Sequence, residues 1–282
     1  VYKMPTGTPV EITAVAVRNL TMKKVVVPPG YPANAPVSPG VMAGERLYLS
    51  GFLGRDINTG RIPEDAAGQV ELALDRMGQT LKAAGLDFRH LVFVNPYLTN
   101  KIPMQLMNEI YAKRFEFGNT PARATIFVNS LPNGANIEFA GVAVRDLSKR
   151  RAVRPRNMPL SPTASPCVWA DDTLYCSAKS GFIPGPFAAI YAATTGHQVR
   201  QTMRNLLDGL EEGGVDFSSV VATNVYLDNL EEFGAMNGIY AQYFPGSKPT
   251  RTTVQPLPPV ERKADAEERW PKLEEISLVA VR

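Results

Sequence analysis

The chain repeats itself over most of its length. Asn95-Pro-Tyr97-Leu-Thr-Asn100, Met107-Asn108-Glu-Ile-Tyr111 and Pro121-Ala-Arg123-Ala-Thr125 return in the same order as Asn224-Val-Tyr226-Leu-Asp-Asn229, Met236-Asn237-Gly-Ile-Tyr240 and Pro249-Thr-Arg251-Thr-Thr253. Residues 68–108 run without a gap onto residues 197–237, at an offset of 129, with about a third of the positions identical. Solenoid units recur every ~20–50 residues, so a repeat of this length is a duplicated domain. The duplication also ranks candidates for chemistry, because a polar residue kept in both copies outranks one found in a single copy.

A third, partial copy is visible at the start. Glu138-Phe-Ala-Gly-Val142-Ala-Val-Arg145 closes the first full copy and Glu275-Ile-Ser-Leu-Val279-Ala-Val-Arg282 closes the second. Glu11-Ile-Thr-Ala-Val15-Ala-Val-Arg18 is the same segment with no domain before it. An alternating strand buries one face only inside a sheet. Residues 1–20 therefore read as the closing strand of a preceding repeat, and a longer gene product with three repeats is expected. A vestigial strand added to the edge of the first full copy is the other reading. The remaining divisions are a repeat over 25–147, a linker over 148–158 and a repeat over 159–282.

The 282 residues leave room for two ordinary domains. Net charge is +3, and no long Lys/Arg block stands out. Lys149, Arg150, Arg151, Arg154 and Arg156 cluster where the repeats join; Pro155 and Pro159 make this stretch read as an extended, solvated linker. Nucleic-acid contact there is the secondary reading. No run of 18 apolar residues occurs, so no membrane span is expected.

Each copy has an α+β rhythm. Residues 41–43 and 46–50 flank Gly44-Glu45 as a hairpin. Val70, Leu72, Leu74, Met77 and Leu81 mark an amphipathic helix over 66–84 that Gly85 stops. A strand over 91–98, a helix over 103–117 and strands over 123–128 and 137–144 follow. The second copy repeats this with a hairpin around Asp171-Asp172, a helix over 198–212, a strand over 220–227, a helix over 230–244 and strands over 251–255 and 275–281. It also carries an insertion, residues 258–272, which reads as a charged surface loop able to cover a neighbouring cleft.

Leu47-Tyr48-Leu49-Ser50-Gly51, Ala83-Ala84-Gly85, Val94-Asn95-Pro96-Tyr97-Leu98, the Met107-to-Tyr111 helix and Pro121-Ala122-Arg123 together resemble the RidA/YjgF family, the reactive-intermediate (enamine/imine) deaminases also described as L-PSP endoribonucleases. Two copies of the pattern cover nearly everything from Val27 to Arg282. The resemblance implies tandem chorismate mutase-like α+β domains, each a mixed sheet backed by two helices. It further implies ligand clefts between neighbouring subunits of a trimer. Three repeats in one chain would make a pseudo-trimer; otherwise the chain would self-associate.

The resemblance also assigns roles. Arg123 and Arg251 match the family's carboxylate-binding arginine, whose planar fork suits a bidentate carboxylate; a structural ion pair at a strand start is the competing role. Glu138 and Glu275 match a glutamate that orients or activates water; a carboxylate in a partly dry cleft can shuttle protons, and an ion pair on a strand is equally open. Asn108 and Asn237 match a cleft asparagine, with a helix-face amide as the alternative. Ser50-Gly51 and Ser177-Ala178 match a backbone segment that faces the ligand, and Thr125 and Thr253 a position often held by cysteine or threonine. The implied partner is a small carboxylate-bearing ligand, with no cofactor and no metal. The implied compartment is cytoplasmic by family default, with export left open.

Departures are plain. The family's Pro-Tyr-Ser is Pro36-Val37-Ser38 in one copy and Pro159-Leu160-Ser161 in the other; its Ser-Gly-Gln is Ser50-Gly51-Phe52 and Ser177-Ala178-Lys179. Either the substrate differs from small 2-aminoacrylate-like enamines or some clefts are inactive. Other chemistries find little support. His90 and His197 stand at non-equivalent positions, which leaves no triad or metal cluster. Cys167 and Cys176 flank the Asp171-Asp172 turn and read equally as a cross-strand disulfide or as two thiols. The Gly181-to-Pro186 loop lacks the lysine of a phosphate-binding loop. Trp169 and Trp270 read as packing residues. Three functions stay open: an imine/enamine deaminase, a non-catalytic ligand-binding or scaffold protein on the same fold, and an endoribonuclease or RNA-binding protein. The last lacks a nucleophile–base pair and a dense basic-aromatic face.

Overall fold

The computed structural model describes residues 1–156, 158–183 and 190–282. Asn157 of the expected linker and residues 184–189 of the loop after Gly181 lie outside the described residues. The chain forms two compact units. One comprises Ala14–Asp171 and the other Val1–Thr13 with Asp172–Arg282.

In the first unit the elements run β1 (Lys23–Val26), β2 (Gly40–Ala43), β3 (Arg46–Leu53), α1 (Ala66–Ala83), β4 (Leu91–Leu98), α2 (Met104–Ala112), β5 (Ala122–Arg123), β6 (Ile126–Phe127) and β7 (Ile137–Val144). The sheet order is β1-β2-β3-β7-β4-β5, with β6 also on β4. β4 pairs parallel with β5 and β6 and antiparallel with β7, so the sheet is mixed. Gly44 turns the β2–β3 hairpin with a φ of 61°, where a side chain is disfavoured. Val70, Ala73, Leu74, Met77 and Leu81 pack α1 onto Leu47, Phe52, Ile137 and Phe139, and α2 adds Met107, Ile110 and Tyr111. Each buried Val, Leu, Ile, Phe or Met among them contributes about 1.5–3 kcal/mol.

Over residues 41–144 the expected elements are present, with two differences. The helix expected over 103–117 ends as α2 at Ala112, and the strand expected over 123–128 is split at Ala124 and Thr125 into β5 and β6. The split has a local cause. Pro96 has no N–H to give the ladder here, and the Ala124 carbonyl accepts instead from the Asn95 side-chain amide at 2.5 Å; the second copy has Val225 at this place and an unbroken strand over Thr250–Val254.

The basic stretch is more ordered than a linker. Arg150–Val153 forms β8, antiparallel to β9 (Cys167–Ala170). Its sequence Arg-Arg-Ala-Val stands where the first copy has Lys23-Lys24-Val25-Val26, which is β1. Arg150 donates from Nε to the Leu91 carbonyl at 2.8 Å and from Nη2 to the Asn119 carbonyl at 2.9 Å, while Lys149 pairs with Asp171 at 3.3 Å. These contacts commit Lys149 and Arg150 to the protein itself.

The second unit holds β10 (Thr173–Lys179), α3 (Thr195–Gly213), β11 (Val220–Leu227), α4 (Phe233–Tyr240), β12 (Thr250–Val254) and β13 (Glu274–Val281). Here the strand order is β12-β11-β13-β10, with β11 and β12 parallel. The helix expected over 230–244 is broken into α4 and a flanking short turn on each side. The insertion carries neither helix nor strand. Both cysteines are buried and neither is a free thiol.

Buried polar side chains recur at equivalent places. Gln69 donates to the Pro63 carbonyl at 2.9 Å, and Gln198 donates to the Ala192 carbonyl at 2.7 Å. Asp65 and Thr194 cap α1 and α3 by accepting from Gly68 and His197 backbone N–H groups. One pair differs. Ala73 and Ile137 are fully buried apolar neighbours of the first core, whereas their counterparts are Thr202 and Glu274, whose side chains hydrogen-bond to each other.

The start of the chain keeps a local conformation of the repeat. Pro5–Gly7 forms a turn with Thr6 at φ 59°, and Pro132–Gly134 forms the same turn with Asn133 at φ 57°. Residues 11–18, however, form no strand; Ile12 is 84% and Val15 71% exposed. Thr13 does bond to Thr252 of β12, at 2.8 Å between hydroxyls.

Candidate functional site

Arg123 ends β5, level with Val94 on β4. Its Nη1 donates to Asn108 Oδ1 at 2.7 Å, and its guanidinium lies 5.2 Å from the centre of the Tyr111 ring. Asn108 and Tyr111 are three apart on α2, so one helix face holds the arginine. The amide fixes the direction of the fork and the ring adds a cation–π contact of about 0.5–2 kcal/mol. Burial pushes the Tyr111 phenol well above its usual range, although Arg123 and Arg150 act against it.

Arg251 sits at the equivalent place on β12, level with Thr223 on β11. Two rings hold it, Tyr240 at 4.8 Å and Phe233 at 5.4 Å. The Tyr240 hydroxyl bonds to Thr223 at 2.7 Å, which fixes the ring. Asn237 faces the same helix side as Asn108 in the first copy, but the matching bond to Arg251 is not formed among the described residues. Phe233 stands where the first copy has Met104, and its ring takes over part of the holding.

Two residues beyond each arginine is a threonine. The hydroxyls of Thr125 and Thr253 are buried without a hydrogen-bond partner. An unsatisfied buried hydroxyl costs about 1–3 kcal/mol. The same orphan occurs in both copies, two residues beyond the same arginine.

Glu138 lies on β7 level with Tyr97, between the core residues Ile137 and Phe139, and so points away from the helices. It rests against Gly51 in an irregular stretch of β3, where the register shifts between Leu49 and Phe52. Burial raises its pKa above the ordinary carboxylate value. The Ser50 hydroxyl donates to the Ser38 carbonyl at 2.6 Å, which pins this stretch. Thus Asn108 and Tyr111 gather round Arg123, and Ser50 and Gly51 shape the seat of Glu138.

Glu275 has the same register, level with Tyr226, but another environment. The Lys272 ammonium donates to its Oε2 at 2.7 Å. Burial acts against the charge of Lys272, but Glu275, Tyr191 and Glu274 together raise its pKa. Neither Lys272 nor the Asn95 bond to Ala124 was legible as part of a site. The recurrence of Asn95-x-Tyr97 as Asn224-x-Tyr226 was the available signal for the latter.

The two histidines are structural. His90 Nδ1 accepts from the Asp87 backbone N–H at 3.1 Å, and His197 Nδ1 lies 2.9 Å from the Thr194 hydroxyl. Among the described residues no three His, Cys, Asp or Glu side chains group as metal ligands, and no helix is long and apolar enough to cross a membrane. Trp169 is buried in the core, while Trp270 lines a cavity of about 790 Å³ in the insertion, with Tyr191, Glu261 and Lys263. That cavity includes neither Arg251 nor Glu275, and its walls are loop residues such as Arg269 and Asp265 that pair with each other. The strand-borne residues, held by backbone register, are the better-defined site.

The chain is similar to known proteins. The rat protein named 2-iminobutanoate/2-iminopropanoate deaminase is 38% identical over 109 residues, 38% of this chain and 79% of that protein. Its human namesake is 37% identical over 114 residues, 40% of this chain and 82% of that protein. The crystal structure of RidA from an Antarctic Psychrobacter bacterium covers 44% of this chain and 98% of its own, at 27% identity and a TM-score of 0.38. The family model described as Endoribonuclease L-PSP matches residues 30–145 and again 160–261. With that model matched twice and covering more than half of its length, the chain belongs to the RidA/YjgF family and carries the family's domain in tandem.

Proposed function

We propose that this protein is a cofactor-free deaminase that hydrolyses small, carboxylate-bearing imines to 2-oxo acids and ammonia. The observation that carries the reading is the pairing, in both copies, of an aromatic-held arginine with an orphan threonine hydroxyl two residues on: Arg123 with Thr125 and Arg251 with Thr253. A fork-shaped cation and a neutral hydroxyl in that arrangement suit a carboxylate with an adjacent polar atom. The names of the rat and human relatives point to the same substrate class.

The chemistry needs one group that can accept and give back a proton, once for each proton of the attacking water. Water adds to the imine carbon as its proton passes to the Glu138 carboxylate and the C=N electron pair moves to nitrogen. The protonated carboxyl returns that proton to nitrogen, giving a carbinolamine; the same carboxylate then takes the carbinolamine hydroxyl proton and passes it to nitrogen, so that the carbonyl forms, the C–N bond breaks and ammonia leaves carrying both protons of the water. Burial of Glu138 favours this exchange, because its neutral form is brought closer to the working pH. The arginine anchors the substrate carboxylate throughout.

The test is ammonia release from 2-iminobutanoate generated in situ by an amino-acid oxidase. Release above the uncatalysed rate is expected from the wild type, with loss in a variant carrying both Arg123→Ala and Arg251→Ala. Unchanged release in that variant, with folding intact, would overturn the reading.

A further inference from the structure

The proposed chemistry requires a carboxylate that is free to exchange a proton, and the two copies treat theirs differently. In the first, a Cβ placed on Gly51 would lie 1.7 Å from Glu138 Oε1 and 2.7 Å from its Cδ. The carboxyl therefore occupies the space that a methyl group would fill. No lysine or arginine is paired with Glu138 among the described residues.

In the second copy the register of β10 on β13 shifts at the matching place, between Cys176 and Lys179. The irregular stretch there is Ser177-Ala178. Ala178 brings the methyl that Gly51 lacks, so a glutamate cannot settle against this backbone as Glu138 does. Glu275 instead meets Lys272 at 2.7 Å. Lys179, in the place of Phe52, adds a second ammonium that interacts with Glu275. One exchange, glycine for alanine, thus accompanies a change in what the carboxylate does.

We propose that the tandem copies divide the work: Glu138, seated on Gly51, transfers the proton, whereas Glu275, kept off the backbone by Ala178 and bonded to Lys272, belongs to a site that binds the same class of carboxylate without hydrolysing it. Gly51, Ala178 and Lys272 are positioning residues in this division. It rests on the deaminase reading given above.

The experiment compares Glu138→Gln with Glu275→Gln in the full chain, by ammonia release from 2-iminobutanoate. Glu138→Gln should lower kcat on the order of 10²-fold with little change in KM, the scale of one general acid–base group. Glu275→Gln should lower kcat at least about tenfold less than Glu138→Gln does. Adding Ala178→Gly with Lys272→Met to the Glu138→Gln background should restore at least about tenfold of the loss. An equal fall for both glutamine variants, or a larger fall for Glu275→Gln, overturns the division while leaving the deaminase reading standing.

A readout without turnover separates the two failures. In carbon-13 spectra of glutamate-labelled protein, Lys272→Met should shift the Glu275 carboxyl and leave Glu138 in place. Gly51→Ala should do the reverse. If the wild type releases no ammonia, the deaminase reading falls; if each variant shifts both carboxyls or neither, the asymmetry itself falls.

Discussion

Glu138 and Gly51 share one space: the carboxyl oxygen lies 1.7 Å from where a Cβ on residue 51 would be. The glycine is required for this contact rather than for its backbone freedom. Gly51→Ala should keep the fold, since the obstacle is the far end of a flexible side chain. It should lower kcat by about 10–100-fold while KM stays within about twofold, since the carboxylate alone is displaced. Steady-state kinetics and a thermal melt check both halves.

The rate should depend on pH through the same carboxyl. Burial raises its pKa above 4.5, so the base form appears later as pH rises than it would in an exposed glutamate. The acid limb of kcat/KM should therefore lie above the ordinary carboxylate range, with rate increasing through it. Glu138→Gln should remove the limb altogether.

Arg123 is held as a fork, by Asn108 on one side and Tyr111 beneath. Arg123→Lys keeps the charge but loses the fork and should weaken binding of 2-oxobutanoate by about 10–100-fold, the worth of a charged hydrogen-bond pair of about 1.5–3 kcal/mol. Asn108→Ala should cost less, because the ring contact remains. Calorimetric titration measures both.

The second core carries a titratable fault that the first lacks. Glu274 is 2% exposed, and burial chiefly raises its pKa to about 8 from 4.5, with the Thr202 hydrogen bond acting against the rise. The folded state thus holds the proton more tightly than the unfolded one. The stabilising contribution is complete below about pH 4.5 and is lost as pH rises toward 8. Thr202→Ala with Glu274→Ile, which copies Ala73 and Ile137, should flatten this dependence. At pH 9 it should stabilise the protein by about 1–4 kcal/mol. Urea unfolding at pH 5, 7 and 9 tests the sign and the size.

Residues 11–18 repeat the sequence of β7 and β13, yet have no strand. In this chain their amides should exchange with solvent within seconds, while those of Val142–Val144 and Val279–Val281 remain protected by neighbours on both sides. Slow exchange at Ala14–Val17 would show a strand partner in solution.

Much of this molecule was written in its repeat. The periodicity of Val70, Leu74, Met77 and Leu81, the break at Gly85, and the uninterrupted register of residues 68–108 on 197–237 give the helices, the strands and the duplicated domain. They do so because local backbone preference and the period of burial act along the chain. The same logic misread residues 150–153, where a basic surface masked a strand whose partner lies more than ten residues on. Arginine, asparagine, threonine and glutamate at repeated positions could be picked out as candidates, since duplication preserves them as letters. What each candidate does was decided in three dimensions. Glu138 and Glu275 look alike in sequence, but one is set against a glycine and the other against a lysine, and those neighbours arrive by cross-strand pairing and by a loop. Electrostatics and steric exclusion act through space, so the tertiary structure decides what each of the two glutamates meets.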